Sequence, residues 1–136
     1  MIGSGEQTAI LLIGHGSAHA EVKTAFCALA ELVRNLGDGQ LVEVAFLSHG
    51  EPDIADGIDR CVAQGARRVV LCPYFLFAGS HVRSDLPAAM AANRRRHPQV
   101  DLLLAEPLGV HGKLAEVVCE RVAQALSGLD GPQLDR

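Results

Sequence analysis

Four times along this chain a short, unbroken apolar run breaks into a loop, and apolar residues then recur at every third or fourth position. Few folds accommodate that alternation. A strand wet on one face alternates apolar and polar side chains, whereas a strand covered on both faces reads as a continuous apolar run, so the pattern predicts a parallel sheet between two layers of helices. The first run, Thr8 to Ile13, ends at Gly14-His15-Gly16-Ser17. From His19 to Leu36 the residues Val22, Phe26, Leu29, Ala30, Val33 and Leu36 form the apolar stripe of a helix that stops near Gly37.

The unit then repeats. Leu41 to Leu47 predicts a second strand and Ser48-His49-Gly50-Glu51-Pro52 its loop, while Ile54, Ile58, Cys61 and Val62 mark a helix ending at Gly65. Arg68 to Phe75 predicts a third strand, with a loop through Gly79-Ser80-His81 and a helix over Leu86 to Arg96. Val100 to Ala105 predicts the fourth strand, His111 to Leu126 the last helix, and a frayed tail follows Gly128. The expected fold class is α/β, a three-layer arrangement with a four-stranded parallel sheet and helices on both faces. A length of 136 residues fits one domain over 1–136, with its core at about 8–126.

Composition removes several classes of function. The chain has 12 basic and 16 acidic side chains and 4% aromatic residues, so it lacks the basic stripe and stacking platform of a nucleic-acid binder. Its apolar runs fall far short of the ~20 residues that span a bilayer, and Met1-Ile2-Gly3-Ser4-Gly5-Glu6 has no export pattern. Cys27, Cys61, Cys72 and Cys119 are widely separated, without a CxxC knuckle or a disulfide framework, which points to a reducing, cytoplasmic setting. No GxxxxGK[ST], GxGxxG or GxSxG motif is present, so nucleotide binding and acyl transfer have no signature here.

Ligands of open parallel sheets bind beyond the carboxyl ends of the strands. The loops carrying His15, Ser48 to Pro52, Gly79 to His81 and Glu106 to His111 should therefore share one rim. Five of the six histidines, His15, His19, His49, His81 and His111, fall on it. His15 is flanked by glycines that permit close approach of a ligand; it also reads as an ordinary loop histidine bonded to backbone, or as part of a phosphate-binding or phosphohistidine loop, although no arginine adjoins it. His81 follows Pro73-Tyr74-Phe75-Leu76-Phe77-Ala78, an apolar approach that suggests a cleft for a flat, greasy ligand. Histidine pairs bind Co²⁺, Fe²⁺, Ni²⁺ and Zn²⁺, and a neutral imidazole accepts a proton near neutral pH. Elsewhere, Arg94-Arg95-Arg96-His97 reads as a solvated helix end or a carboxylate-recognising cluster. Asp53, Asp56 and Asp59 read as a helix cap with its first turns, and Cys72 as core.

These blocks carry a resemblance. Leu12-Ile13-Gly14-His15-Gly16-Ser17, Val42 to Leu47 followed by Glu51-Pro52, Pro73 to Val82 with Asp85-Leu86-Pro87, and Pro107-Leu108-Gly109-Val110-His111 with Leu114 resemble the small, single-domain sirohydrochlorin chelatases of the CbiX/SirB type, class II chelatases, over about Thr8 to Ala125. The resemblance implies a chelatase-like, flavodoxin-like winding and a lyase that inserts a divalent metal into a tetrapyrrole without ATP or another nucleotide. It implies Co²⁺, Fe²⁺ or Ni²⁺ as a substrate metal, sirohydrochlorin as the macrocycle, and cobalamin or siroheme biosynthesis as the setting. It also implies a homodimer, one small unit supplying half of the cleft of the two-lobed relatives.

By the same resemblance His15 and His81 are the metal-binding and proton-accepting pair. Ser17, Glu51, Tyr74, Phe75, Phe77, Gly79, Ser80 and Arg83 line the substrate side, with Arg83 meeting macrocycle carboxylates. The family's glutamate after the second strand is Ser48 here, the arginine after the first-loop serine is Ala18, and the proline after the last-loop histidine is Gly112. A serine supplies no charge, so His49 is the candidate replacement ligand and Glu51 the nearest carboxylate. The rival expectation is a non-catalytic tetrapyrrole or metal carrier derived from a chelatase.

Overall fold

The computed structural model describes residues 7–130, His81 and Asp130 by backbone alone. The opening residues 1–6 and the tail 131–136 lie outside the described residues, so the expected absence of an export pattern and most of the expected frayed tail fall there. Gly128–Asp130 forms a 3-10 turn rather than fraying.

Four strands, β1 (Thr8–Gly14), β2 (Leu41–Phe46), β3 (Arg68–Pro73) and β4 (Asp101–Leu104), alternate with α1 (Ala20–Leu36), α2 (Ile54–Ala63), α3 (Ser80–Arg96) and α4 (Gly112–Ser127). All strand pairs are parallel, in the order β2-β1-β3-β4. This is the expected α/β architecture with helices on both faces. Among the described residues no helix is long and apolar enough to cross a membrane.

The continuous apolar runs are explained by two cores. Side chains of a strand alternate between faces. Ala9, Leu11, Ile13, Ala45, Val69, Leu71 and Leu102 point to one face, where they pack with Ile54, Ile58 and Cys61 of α2 and Leu86 and Met90 of α3. Leu12 and Val42 point to the other, where Ala30 of α1 covers them with Phe26, Leu29 and Val33 at its margin. Leu11, Ile13, Ile58, Val69 and Leu71 are the larger, fully buried side chains, each worth roughly 1.5–3 kcal/mol of apolar transfer. At Gly57 α2 presses so close that an added Cβ would stand 2.8 Å from Leu11 Cδ1 and 3.0 Å from Ala45 Cβ.

Boundaries shift by a residue or two at most elements, but α3 differs more. It begins at Ser80, not Leu86, capped by the extended Gly79. Pro87 inside the helix disguised the start, because its ring removes one amide and interrupts the sequence pattern. His81 therefore belongs to a helix's first turn instead of a loop. The Arg94–Arg96 stretch also corrects the reading of a merely solvated helix end: Arg96 Nη2 donates to Asp59 Oδ2 at 2.7 Å, and His97 Nε2 lies 2.7 Å from Asp59 Oδ1. Asp59 is thus a clasp between α2 and α3. Asp53 does cap α2, its side chain accepting from the Asp56 amide at 2.8 Å.

Candidate functional site

The rim is stitched together by backbone. Beyond the last pair of β1 and β2, Leu47 N donates to Gly14 O at 2.9 Å, Ser48 N to His15 O at 3.1 Å and Ser17 N to His49 O at 3.0 Å. On the opposite flank Tyr74 N donates to Ile13 O at 2.8 Å. The end of the central strand is therefore held from both sides, and His15 sits just beyond the buried Gly14 with its own side chain exposed.

Two glycines make this approach feasible. Gly16 has φ +99°, and a Cβ there would meet Ser48 O at 1.6 Å. At Gly14 a Cβ would stand 3.1 Å from the Phe26 ring. Ser48 also directs its hydroxyl to His15 O at 3.3 Å, so the residue expected to stand in place of a carboxylate serves the backbone beneath His15. His49 has φ +50°, exposes its side chain and uses its carbonyl to accept from Ser17. The Ser17 hydroxyl accepts from His19 N at 3.0 Å, ordering the turn into α1.

The apolar approach to α3 splits around His15. The Phe75 ring meets the imidazole edge-on, centroids 5.8 Å apart and planes at 86°, while Tyr74 turns to Phe26 at 5.8 Å. His15, Val22, Phe26, Leu29, Phe46 and Tyr74 line a hollow of about 380 Å³ on the α1 side. Leu76, Phe77, Arg83, Leu104, Glu106 and Pro107 line another of about 410 Å³ between the ends of β3 and β4. Both lie in the range of small-molecule sites. Phe77 is 72% exposed and Leu76 57%, too much apolar surface for an ordinary loop.

Gly79 and Ser80 are exposed at the start of α3, whose first turn contains no acidic residue and no side-chain cap. Its leading amides and Arg83 bring hydrogen-bond donors and one positive charge to this end of the second hollow, which Glu106 also lines. His81 is the second residue of that helix; its side chain lies outside the described residues. Glu51 is not brought to His15: it borders a separate hollow at the β2 edge with Lys23, Arg34, Glu43 and Arg60. His111 caps α4, its Nδ1 accepting from Lys113 N at 3.0 Å. Sequence reasoning assigned Phe26 and Phe46 to structure and missed that they line the His15 hollow; the signal was Gly14, a strand-end residue without the Cβ that would block Phe26.

A sequence model of the family described as CbiX matches residues 9–125. The chain belongs to the CbiX family. Among CbiX relatives, the chloroplastic sirohydrochlorin ferrochelatase of Arabidopsis thaliana is 33% identical over 129 residues, covering 95% of this chain and 57% of its own. The CbiX protein of Marinobacter aquaeolei VT8 superposes with a TM-score of 0.76 at 30% identity, over 88% of this chain and 98% of that one. The sirohydrochlorin chelatase SirB of Bacillus subtilis subspecies spizizenii, solved in complex with cobalt, gives a TM-score of 0.81 at 28% identity, over 87% of this chain and 50% of that one. The chain spans about half the length of the first curated relatives it matches.

Proposed function

We propose that this CbiX-family chain is a sirohydrochlorin chelatase, a lyase that inserts a divalent metal, Co²⁺ or Fe²⁺ with Ni²⁺ as a third candidate, into the macrocycle without a nucleotide. The observation that carries the reading is the exposed His15, fixed at the end of the central strand and edge-on to Phe75, between two apolar hollows on the rim. Relatives named as ferrochelatases and cobaltochelatases supply the substrate class.

Insertion exchanges two pyrrole N–H protons for one divalent ion. No covalent intermediate with the protein is required. His15 and His81 would bind the incoming ion on one side of the macrocycle, and a neutral imidazole takes up the two pyrrole protons in turn, releasing each to solvent at the open rim. His49 is the auxiliary ligand, and the charge of Glu51 draws cations toward the rim. Tyr74, Phe75 and Phe77 contact the flat ring, while Arg83, Ser17, Gly79, Ser80 and the first amides of α3 receive its carboxylates. A second copy of the chain completes the cleft. Unpaired cysteines at all four positions agree with a cytoplasmic setting, and the product would serve cobalamin or siroheme formation.

The position of Ser48 favours a second reading. Its neutral hydroxyl bonds the backbone of His15 where a carboxylate would assist the metal, which suits a carrier that holds tetrapyrrole or metal without inserting it. An anaerobic absorbance time course with sirohydrochlorin and Co²⁺, Fe²⁺ or Ni²⁺ in turn separates the two. Acceleration over the protein-free reaction supports the chelatase and ranks the metals. A shifted macrocycle spectrum without acceleration supports the carrier, and neither effect overturns both.

A further inference from the structure

The hydrogen bonds of the sheet fix which backbone groups face out from its two open edges. In a parallel pair the N–H and C=O of one residue point to the same neighbouring strand, and those of the next residue point the other way. Leu47 N donates to Gly14 O, so the odd-numbered residues of β2 turn to β1, while Val42, Val44 and Phe46 turn outward. Asp101 N donates to Arg67 O and Ala105 N to Leu71 O, so Leu102 and Leu104 turn outward from β4.

Both edges are met by an arginine in the same way. Arg34 Nη2 donates to Val42 O at 2.7 Å, and Arg94 Nη2 donates to Leu102 O at 3.0 Å. Each arginine lies in the last turn of the helix that leads into the edge strand, eight residues ahead of the carbonyl it reaches. A cation at a helix end is already favoured by the helix carbonyls and needs no strand partner. Arg34 is held further by an ion pair with Glu31, and at the far end of the β2 edge Phe46 N donates to Pro52 O at 2.9 Å.

The edge segments are of the kind that pair with their like. Leu41–Phe46 and the stretch 100–105 are mostly apolar, each with one charge, Glu43 or Asp101, and no proline; Leu103 and Leu104 are exposed. Such segments add to one another wherever an edge is open. A guanidinium on an outward carbonyl removes an acceptor from the ladder and stands where an added strand would run, about 4.8 Å from the edge. The incoming strand would have to displace it or strip its water.

We infer that Arg34 and Arg94 guard the two edges of the sheet, blocking strand addition by the β2 and β4 segments of other copies of this chain. The inference rests on the sheet alone and is independent of the chemistry at the rim.

A matched pair of variants tests it. Arg94→Met and Arg95→Met each remove one charge from the same helix turn, but among the described residues only Arg94 of the two bonds an edge strand. Arg34→Met opens the other edge. As folded proteins held well below their melting temperatures, Arg94→Met and Arg34→Met should form thioflavin-binding aggregates about tenfold faster than the parent, and Arg95→Met at the parent's rate. Asp59→Asn, which weakens a contact between α2 and α3 and leaves both edges capped, reports aggregation that follows from lost stability alone. Arg94→Gln or Arg34→Gln replaces a methionine variant that circular dichroism shows unfolded, with the same expectation. Parental rates in both edge variants overturn the inference, as does equal acceleration in Arg95→Met or Asp59→Asn.

Discussion

The carbonyl oxygen of Ser48 occupies the space in which a side chain on Gly16 would begin: a Cβ there would lie 1.6 Å from it. Two loops from neighbouring strands thus cross at a separation only glycine allows, and at φ +99° only glycine is comfortable. The crossing places the Ser48 amide and hydroxyl against His15 O.

Gly16→Ala should therefore do more than strain a turn. The loops must part, the bonds to His15 O must lengthen, and the loss in stability should exceed about 1 kcal/mol. Urea unfolding with metal titration checks both effects; an alanine variant with unchanged stability and affinity would contradict the close crossing.

His15→Ala removes an exposed side chain, so its effect on stability should be within about 0.5 kcal/mol. Metal insertion, by contrast, should fall by about 10² or more if the imidazole accepts the pyrrole proton. Initial rates beside thermal melts provide the comparison, and a rate close to that of the parent removes His15 from the mechanism.

Ser48→Glu introduces the carboxylate that the sequence resemblance leads one to expect there but gives up a hydroxyl bonded to His15 O. We expect faster insertion or tighter metal binding than in the parent. Ser48→Ala, which keeps the backbone bond, should change insertion little. Equal rates in parent and glutamate variant would mean that His49 already fills the role.

Asp59 faces Arg96 and His97, and hydrogen bonds from Arg96 first and His97 second hold its carboxyl below the ordinary value of 3.8. A lowered carboxylate contributes stability that is complete above the ordinary value and lost as pH falls through the lowered one. Asp59→Asn should lower the melting temperature slightly near neutral pH and flatten the acid limb of the stability curve below pH 3.8. The effect is small because the pair is largely solvated. Melting curves from pH 7 to pH 3 read it directly, and parallel curves for parent and variant would dismiss the clasp.

Burial, with Glu43 nearby as a lesser cause, pushes the Cys61 thiol up to about 12, whereas Cys27 is exposed. In the native protein at pH 8 iodoacetamide should modify Cys27 and spare Cys61, which should react only on unfolding. Peptide mapping by mass spectrometry tells the two apart.

The order of elements was readable because a parallel sheet imprints its two-sided burial on the sequence: Leu11 and Leu12 are both apolar since each faces a different core. The rim was readable for the same reason, strand ends being where those runs stop. What the sequence concealed depends on contacts between distant segments. Nothing near Ser48 announces that it bonds His15 O, and nothing near Asp59 that it clasps Arg96 across 37 positions. Pro87 misled locally, hiding the first turns of α3 and with them the helical setting of His81.

His15 hangs from β1 and the apolar segment 76–79 follows the adjacent β3, the two interior strands of the sheet. The bonds from Leu108 and Gly109 couple that segment to the loop ahead of α4. The loop bearing His15 is thus pinned to strand ends on both sides, whereas the other side of the rim is a pair of loops tied to each other, so under the proposed function the fit to the macrocycle would fall to that second side.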